Sequence, residues 1–478
     1  MRGRLARSVG QILAAVALSG LALRGGVATA QHPLRGPQPA ESIHPSSFIL
    51  HPSAASPQPE ESTAGAPFSG PTPLEALVRH ALANNREIQA ARYHASALGH
   101  RVPQAASLPD PQLVTTAFLE SIQTAAGPQE VAMSLQQKFP WFGKRALRSQ
   151  VASRDAMAAY SRLAATELAV VEQVKRAYFD LYYVESAIAE TRTLQPRLED
   201  VIEIARTKYE TDLQGKGLET VLKAQIELAR LKTTLVQLEN NKRQAQARLA
   251  GVLHLPPETR IEAVERIDPT RVAQTAVLLV GLAESLQPEL EAQRWEVDRD
   301  RTSIEVARRE YWPDVTVGFN WYEIGPAGLS PVANGRDAYA LGVGVNLPIY
   351  RNRLDAAVRE AQCRTAASRR RYEAARDRVH TEVQTLYAQF TEHHQVLAIL
   401  QKDILPQAER TLKLSTESYR LGRLDFQQLI DTYRTLLDYR IEVHKREAMR
   451  EQAIASLERA VGGAITAEPA ETPAQLGQ

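Results

Sequence analysis

Two kinds of periodicity alternate along this chain, and the alternation occurs twice. Pro111 to Ser121 is rich in Val, Thr and Phe, while Val131, Met133 and Leu135 alternate with Ala132, Ser134 and Gln136. A period of two puts one row of side chains on each face of a strand, so both stretches are predicted to be strands of about ten residues. Phe139-Pro140-Trp141-Phe142-Gly143-Lys144-Arg145 ends the second strand and turns into a helix, with Pro140 and Gly143 at the corner. A very long helical region follows from about Arg145 to Tyr209 with Pro196 as its one interior proline; at about 1.5 Å per residue it spans about 95 Å. Gly215-Lys216-Gly217 breaks it. A second helix is expected from about Leu218 to Leu249, where Leu228, Leu231, Leu235, Leu238, Ala245 and Leu249 follow coiled-coil spacing and Lys242 fills the missing seam position.

The same order then returns. Trp312-Pro313-Asp314 echoes Leu108-Pro109-Asp110, each before a strand, and Pro288-Glu289-Leu290 echoes Arg86-Glu87-Ile88. Val315, Val317, Phe319 and Trp321 alternate along one predicted strand, and Tyr339, Leu341, Val343, Val345 and Leu347 along the next. Leu347-Pro348-Ile349-Tyr350 repeats the strand-to-helix corner, with Pro348 in the place of Pro140. Pro406 and Tyr419 match Pro196 and Tyr209, Leu421-Gly422-Arg423 is the second break, and Gly462-Gly463 echoes Gly251. The chain reads as a tandem duplication: a first repeat over 74–265, a connector over 266–282 and a second repeat over 283–463. Each is helix, strand, strand, long helix, turn, helix. The first helix is expected to run from an N-cap at Thr72, with Pro73 at its first position, to about Arg101.

Four strands per chain cannot close a barrel, and open strand edges are not tolerated in lipid. Rotational symmetry resolves this, because each copy of the chain can contribute staves to a shared barrel. The fold class expected is therefore mainly α with a transmembrane β part: long helical hairpins forming an α-barrel, and four strands per chain completing a 12-stranded β-barrel in a trimer. Long helices packed against one partner bury little, which also calls for neighbouring copies.

Composition adds the compartment. Arg2, Arg4 and Arg7 precede the apolar run Ile12–Leu23 and the small-residue site Ala28-Thr29-Ala30, so residues 1–30 read as a secretory signal peptide. Residues 31–73 are rich in proline and read as an extended or disordered leader, and 464–478 as a tail. No later stretch reaches eighteen consecutive apolar residues, leaving no transmembrane helix. Cys363 is the single cysteine, which excludes an intrachain disulfide. A net charge of +2 supplies no field for nucleic acid. His393 and His394 are adjacent and face different ways on a helix, and no metal-ligand, phosphate-loop or catalytic constellation is present. No cofactor, resident metal or enzymatic activity is expected.

The order of elements, the duplication and the corner motifs over about residues 74–463 resemble the TolC-like outer-membrane efflux proteins. Leu108-Pro109-Asp110-Pro111 and Phe139 to Arg145 look most like the heavy-metal resistance branch, the CusC and CzcC type. The resemblance implies a homotrimeric duct in outer-membrane lipid with a periplasmic extension. It would dock on a periplasmic adaptor bound to an inner-membrane pump, the RND type among the candidates, and conduct passively, with heavy-metal cations among the cargoes. Family members place two aspartates, three residues apart, around a constriction after the second hairpin turn; here those positions hold Gln428 and Asp431, and only Asp431 matches. A ring of carboxylates there would attract cations. Gly215, Gly217, Leu218, Tyr419, Gly422 and Leu424 are the expected adaptor contacts at the hairpin tips. The competing reading is a periplasmic coiled-coil adaptor or scaffold; an adaptor normally carries one hairpin, and two hairpins each preceded by a strand pair argue against it.

Overall fold

The computed structural model describes Phe68, residues 70–211, 217–264, 266–267, 270–326, Leu329 and residues 331–465. Residues 1–30, read from the sequence as a signal peptide, nearly all of the segment 31–73 read as a leader, Gly215 and the residues beyond Ile465 lie outside these residues. The first copy consists of α1 (Leu74–Asn84), α2 (Arg86–Ala106), β1 (Gln112–Thr124), β2 (Gly127–Phe139), α3 (Lys144–Thr211) and α4 (Gly217–Val252). The second consists of α5 (Ala276–Leu286), α6 (Pro288–Arg309), β3 (Val315–Ile324), β4 (Ala338–Val345), α7 (Arg351–Ile399), a π-helical turn (Leu400–Ile404), α8 (Leu405–Arg420) and α9 (Phe426–Val461).

Three expectations about the helices are corrected. The helix expected over 74–101 is broken at Asn85, whose backbone leaves the helical region at ψ 127°. Its side-chain oxygen accepts from the backbone N–H groups of Glu87 (2.8 Å) and Ile88 (3.1 Å), capping α2. Gln287 makes the equivalent break in the second copy and accepts from Glu289 N–H at 3.3 Å, so the helical segment there opens at Ala276, inside the expected connector. Both capping amides reach back to the end of their own return helix: Asn85 Nδ2 to the Val252 carbonyl, and Gln287 Nε2 to those of Arg459 and Ala460. Thr72 is not the cap of α1. Its backbone N–H donates to the Glu262 carbonyl (3.0 Å) and its hydroxyl to the Gly70 carbonyl (3.0 Å), because the chain here is held in a bridge to the segment after α4.

The strands form one antiparallel sheet in the order β1-β2-β3-β4. The helices follow the same order. Along one half of its length α3 packs between α2 and α6, with α7 on the far side of α6; along the other half it packs between α4 and α9, with α7 and α8 beyond α9. The apolar cores are duplicated as well. Leu77, Ala81 and Ile88 join Tyr178, Leu249 and Leu253 in one cluster, and Leu279, Ala283 and Leu290 join Val383, Leu457 and Val461 in the other. Full burial of such aliphatic side chains contributes about 1.5–3 kcal/mol each. A third cluster, Leu194, Leu198, Leu231, Leu412, Phe426 and Leu429 among its members, holds the far ends of the two hairpins together.

Candidate functional site

The sheet carries two unlike faces. Leu113 pairs with Leu135, Leu135 with Phe319, and Phe319 with Leu341. One residue along, Gln112 pairs with Gln136, Gln136 with Gly318, and Gly318 with Gly342. Directly opposed residues share a face, so the first row is apolar and the second small or polar, the alternation of a membrane strand beside a wet lumen. The apolar row is open: Leu341 is 76% exposed, Val343 69% and Leu113 51%. A contiguous apolar surface of this kind marks contact with another molecule or with lipid. Among the described residues no helix is long and apolar enough to cross a membrane.

The sheet meets the helices at a corner that brings the two copies together. After Pro140 the chain turns at Gly143, whose φ of +85° lies in the left-handed region. The turn carries Lys144 inward until it is fully buried. Its ammonium donates to Asp314 Oδ1 (2.7 Å), the Trp312 carbonyl (2.9 Å) and Glu310 Oε2 (3.3 Å). Trp141 N–H donates to the same Asp314 oxygen, and Lys138 pairs with the other at 3.0 Å. Burial raises the Asp314 pKa, but the bonds from Lys144, Trp141 and Lys138 outweigh it and pull the carboxyl down to about 2. Trp141 stacks on Trp312 with ring centroids 5.4 Å apart. The sequence motifs around Lys144 and Asp314 are both visible in the chain, yet nothing local says that they meet, 170 residues apart. At the second corner Pro348 precedes Tyr350, and Asn352 stands exposed where the first copy has Lys144.

At the far end, the second hairpin turns on Gly422, at φ +71° with open space around it. Tyr419, expected to contact an adaptor, is only 5% exposed and packs edge-on against Phe426. It supports the turn from inside and offers little surface. Leu424 is half-buried against the same cluster, whereas Leu218 and Leu421 are exposed. Gly217 opens α4, and Gly215 lies outside the described residues. Gln428 and Asp431 are both exposed on α9. Asp431 Oδ1 accepts from Gln427 Nε2 at 3.1 Å and lies 3.2 Å from Arg434 Nη1, and Arg434 also grips Glu227 of α4 in a two-pronged pair.

Midway along α9, His444 sits between Glu190 of α3 (3.4 Å) and Glu447 (3.1 Å). Burial lowers its pKa, but the two carboxylates more than reverse this and raise it to about 9. Tyr182 donates to the same Glu447, and Arg440 pairs with Glu190. The opposite flank of α3 is tied to α4 by Lys242, 2.9 Å from Glu185. His393 faces Arg446, and His394 stacks on Phe390. Among the described residues no group of three or more His, Cys, Asp or Glu could hold a metal ion. A crevice of about 790 Å³ runs between α2, α3, α6 and α7, lined by Arg101, Arg148, Asp155, Arg299 and Asp300 among others.

A duplicated helical hairpin carrying an open, two-faced four-stranded sheet is the build of an outer-membrane efflux channel subunit. The chain belongs to the outer membrane efflux protein family, whose profile matches residues 77–253 and 279–463, one segment for each copy. It is 24% identical over 409 residues to the cobalt-zinc-cadmium resistance protein CzcC of Cupriavidus metallidurans, covering 82% of this chain and 91% of that protein. The crystal structure of the outer membrane protein VceC from Vibrio cholerae superposes with a TM-score of 0.68 at 19% identity, over 82% of this chain and 96% of that one. CusC superposes at 0.67 and 16% identity, over 82% of this chain and 92% of that one.

Proposed function

We propose that this chain is one protomer of a homotrimeric outer-membrane duct in a tripartite efflux system. An inner-membrane pump of the RND type would deliver cargo through a periplasmic adaptor, and the duct would conduct it passively, without catalysis. The observation that carries the reading is the open sheet: four strands, an exposed apolar row on one face and two unpaired edges. Lipid tolerates such strands only in a closed barrel, and three copies supply twelve. The helical hairpins then extend into the periplasm. Leu218, Gly422 and Leu424 at their tips would meet the adaptor, with Tyr419 as the internal brace, and Gln428 and Asp431 would ring the constriction. Divalent heavy-metal cations are the cargo this reading favours, because the CzcC relative is named for cobalt, zinc and cadmium resistance.

The test is the mass of the particle extracted with detergent from the outer-membrane fraction. A trimer is expected there. A monomer or dimer recovered from the soluble periplasm would overturn the duct and favour the scaffold reading.

A further inference from the structure

The duplication contains more than the number of strands, because it also specifies how one copy of the chain meets the next. Within the chain, the seam between the two copies is β2 against β3, in a register that sets Met133 opposite Trp321, Leu135 opposite Phe319 and Phe139 opposite Val315. The outer edges of the sheet, β4 of the second copy and β1 of the first, are the duplicated counterparts of these two strands. Phe139-Pro140 corresponds to Leu347-Pro348, and Asp314 to Asp110. The pairings within each copy agree with this correspondence: Gln112 lies opposite Gln136 in the first, and Thr316 opposite Gly344 in the second.

Carrying the β2–β3 seam onto the edges, we infer that β4 pairs antiparallel with β1 of a second copy of this chain, with Leu341 opposite the partner's Ala117, Val343 opposite the partner's Thr115 and Val345 opposite the partner's Leu113. The inference rests on the trimeric duct proposed above and adds the register of its seam. Three features that did not enter the mapping agree with it. The first is parity. The pairs so formed keep the face of Leu341, Val343 and Val345 continuous with that of Leu113, and the face of Gly342 and Gly344 continuous with that of Gln112, whereas a slip of one residue would turn the whole edge to the wrong face. The second is exposure. β4 is exposed at all eight positions and β1 at nearly every one, while β2 and β3 are largely half-buried. The third is size. Gly342 and Gly344 fall opposite the partner's Thr116 and Val114, small against larger. The register also brings the strand ends level, Leu347 beside the partner's Pro111, so that α7 starts alongside the end of the partner's α2 as α3 starts alongside the end of α6.

Paired cysteines test the register in the intact, detergent-solubilised particle, with the exposed native Cys363 replaced by Ser. β1 and β4 of one chain lie at opposite edges of its sheet, so any disulfide between them joins two copies. Leu341→Cys with Ala117→Cys, and Gly342→Cys with Thr116→Cys, are adjacent pairs. Antiparallel ladders alternate between wide and close pairs, so one of the two has the close geometry that a disulfide needs. A side chain at Gly342 is tolerated, since its Cβ would come no nearer than 3.9 Å to the Gly318 carbonyl. Mild oxidation is expected to convert at least one of these variants to a covalent trimer on a non-reducing gel. The slipped pairs, Leu341→Cys with Thr115→Cys and Gly342→Cys with Val114→Cys, should stay monomeric. Cross-linking of a slipped pair, or of neither adjacent pair in a particle of trimeric mass, overturns the register and leaves the duct standing. A particle that is not trimeric before oxidation overturns both.

Discussion

Where β2 runs into α3, the ammonium of Lys144 is buried and held by Asp314, Glu310 and the Trp312 carbonyl. Where β4 runs into α7, the equivalent position is Asn352, exposed and without a charge. The two corners descend from one pattern, so the difference reports what each now joins. The first closes a seam inside the chain, between copies that are never apart, and can carry a buried ionic lock. The second faces outward. A buried charge there would stay uncompensated until another molecule arrived, and an unpaired buried charge costs several kcal/mol. The long helices diverge in the same way. α3 runs through Pro196 without a change of helix type, whereas a π-helical turn precedes Pro406 in the second copy. A proline removes a backbone N–H and crowds the preceding turn, and a π turn is one way a helix absorbs that disturbance.

The sharpest test of the contrast is to remove the lock. Lys144→Met leaves Asp314, 6% exposed, without its main partner, and is expected to cost about 3–5 kcal/mol. Asn352→Met should fall within about 0.5 kcal/mol of the parent. Urea unfolding of the solubilised particle measures both, and equal losses would break the comparison. The pH dependence has a definite sign. Asp314 is held near 2, below its value in an unfolded chain. Its contribution is therefore fully present above about pH 4 and is lost as pH falls through 2.

Next in size is the end of the return helix. Gly462 caps α9 at φ +93°, and a Cβ there would lie 2.5 Å from the Leu286 carbonyl oxygen. Gly251, which the sequence presents as its echo, is still helical with open space around it; in the first copy the left-handed position falls to His254 at φ 55°. Gly462→Ala is expected to cost about 2–3 kcal/mol through left-handed strain and the clash. Gly251→Ala should be neutral or stabilise by up to about 1 kcal/mol. Thermal unfolding of the pair separates them.

The two flanks of α3 give a third contrast. Lys242 ties α4 to Glu185, whereas His444 ties α9 to Glu190 of α3 and also pairs with Glu447 on its own helix. The groups around His444 are Glu190 and the neutral Tyr182 phenol from α3, and Glu447, Arg440 and Arg450 from α9, with Arg266 acting on Tyr182. Because the folded pKa is about 9 against 6.5 for free histidine, the stabilisation is complete below pH 6.5 and is lost as pH rises through 9. The midpoint of thermal unfolding should fall over that window, and His444→Gln should flatten the curve. A slope unchanged in the variant would place its origin elsewhere.

The duplication, the strand pairs and the long hairpins were legible because each rests on local periodicity or on turn residues. The corner motif was visible as a motif, and its glycine as a turn. What escaped were contacts between segments distant in sequence. The Lys144–Asp314 lock spans the two copies. The breaks at Asn85 and Gln287 hide in helix-compatible sequence, because an amide side chain becomes a cap only when a return helix lies beside it. Tyr419 looked like a tip surface residue, but an aromatic three residues before a turn serves equally to plug it, and Phe426 decides the matter by packing against it.

The smallest expected effect concerns the tips, and it bears on the one charged position carried over from the family pattern. Under the proposed duct, three symmetry-related copies of Asp431 would face the constriction, with Gln428 in place of a second carboxylate ring. In each chain the Asp431 carboxylate already has Arg434 at 3.2 Å, so part of its field is spent locally. Arg434 is in turn held by Glu227, which keeps the guanidinium in place when Asp431 is removed. Asp431→Ala should therefore weaken divalent-cation block of the single-channel current modestly, by a few-fold, and leave the fold intact. Gln428→Asp should strengthen block by adding a second ring of carboxylates, making the pair of variants opposite in sign. Block unchanged in both would remove the constriction from this turn of α9, while the seam and the corner would stand.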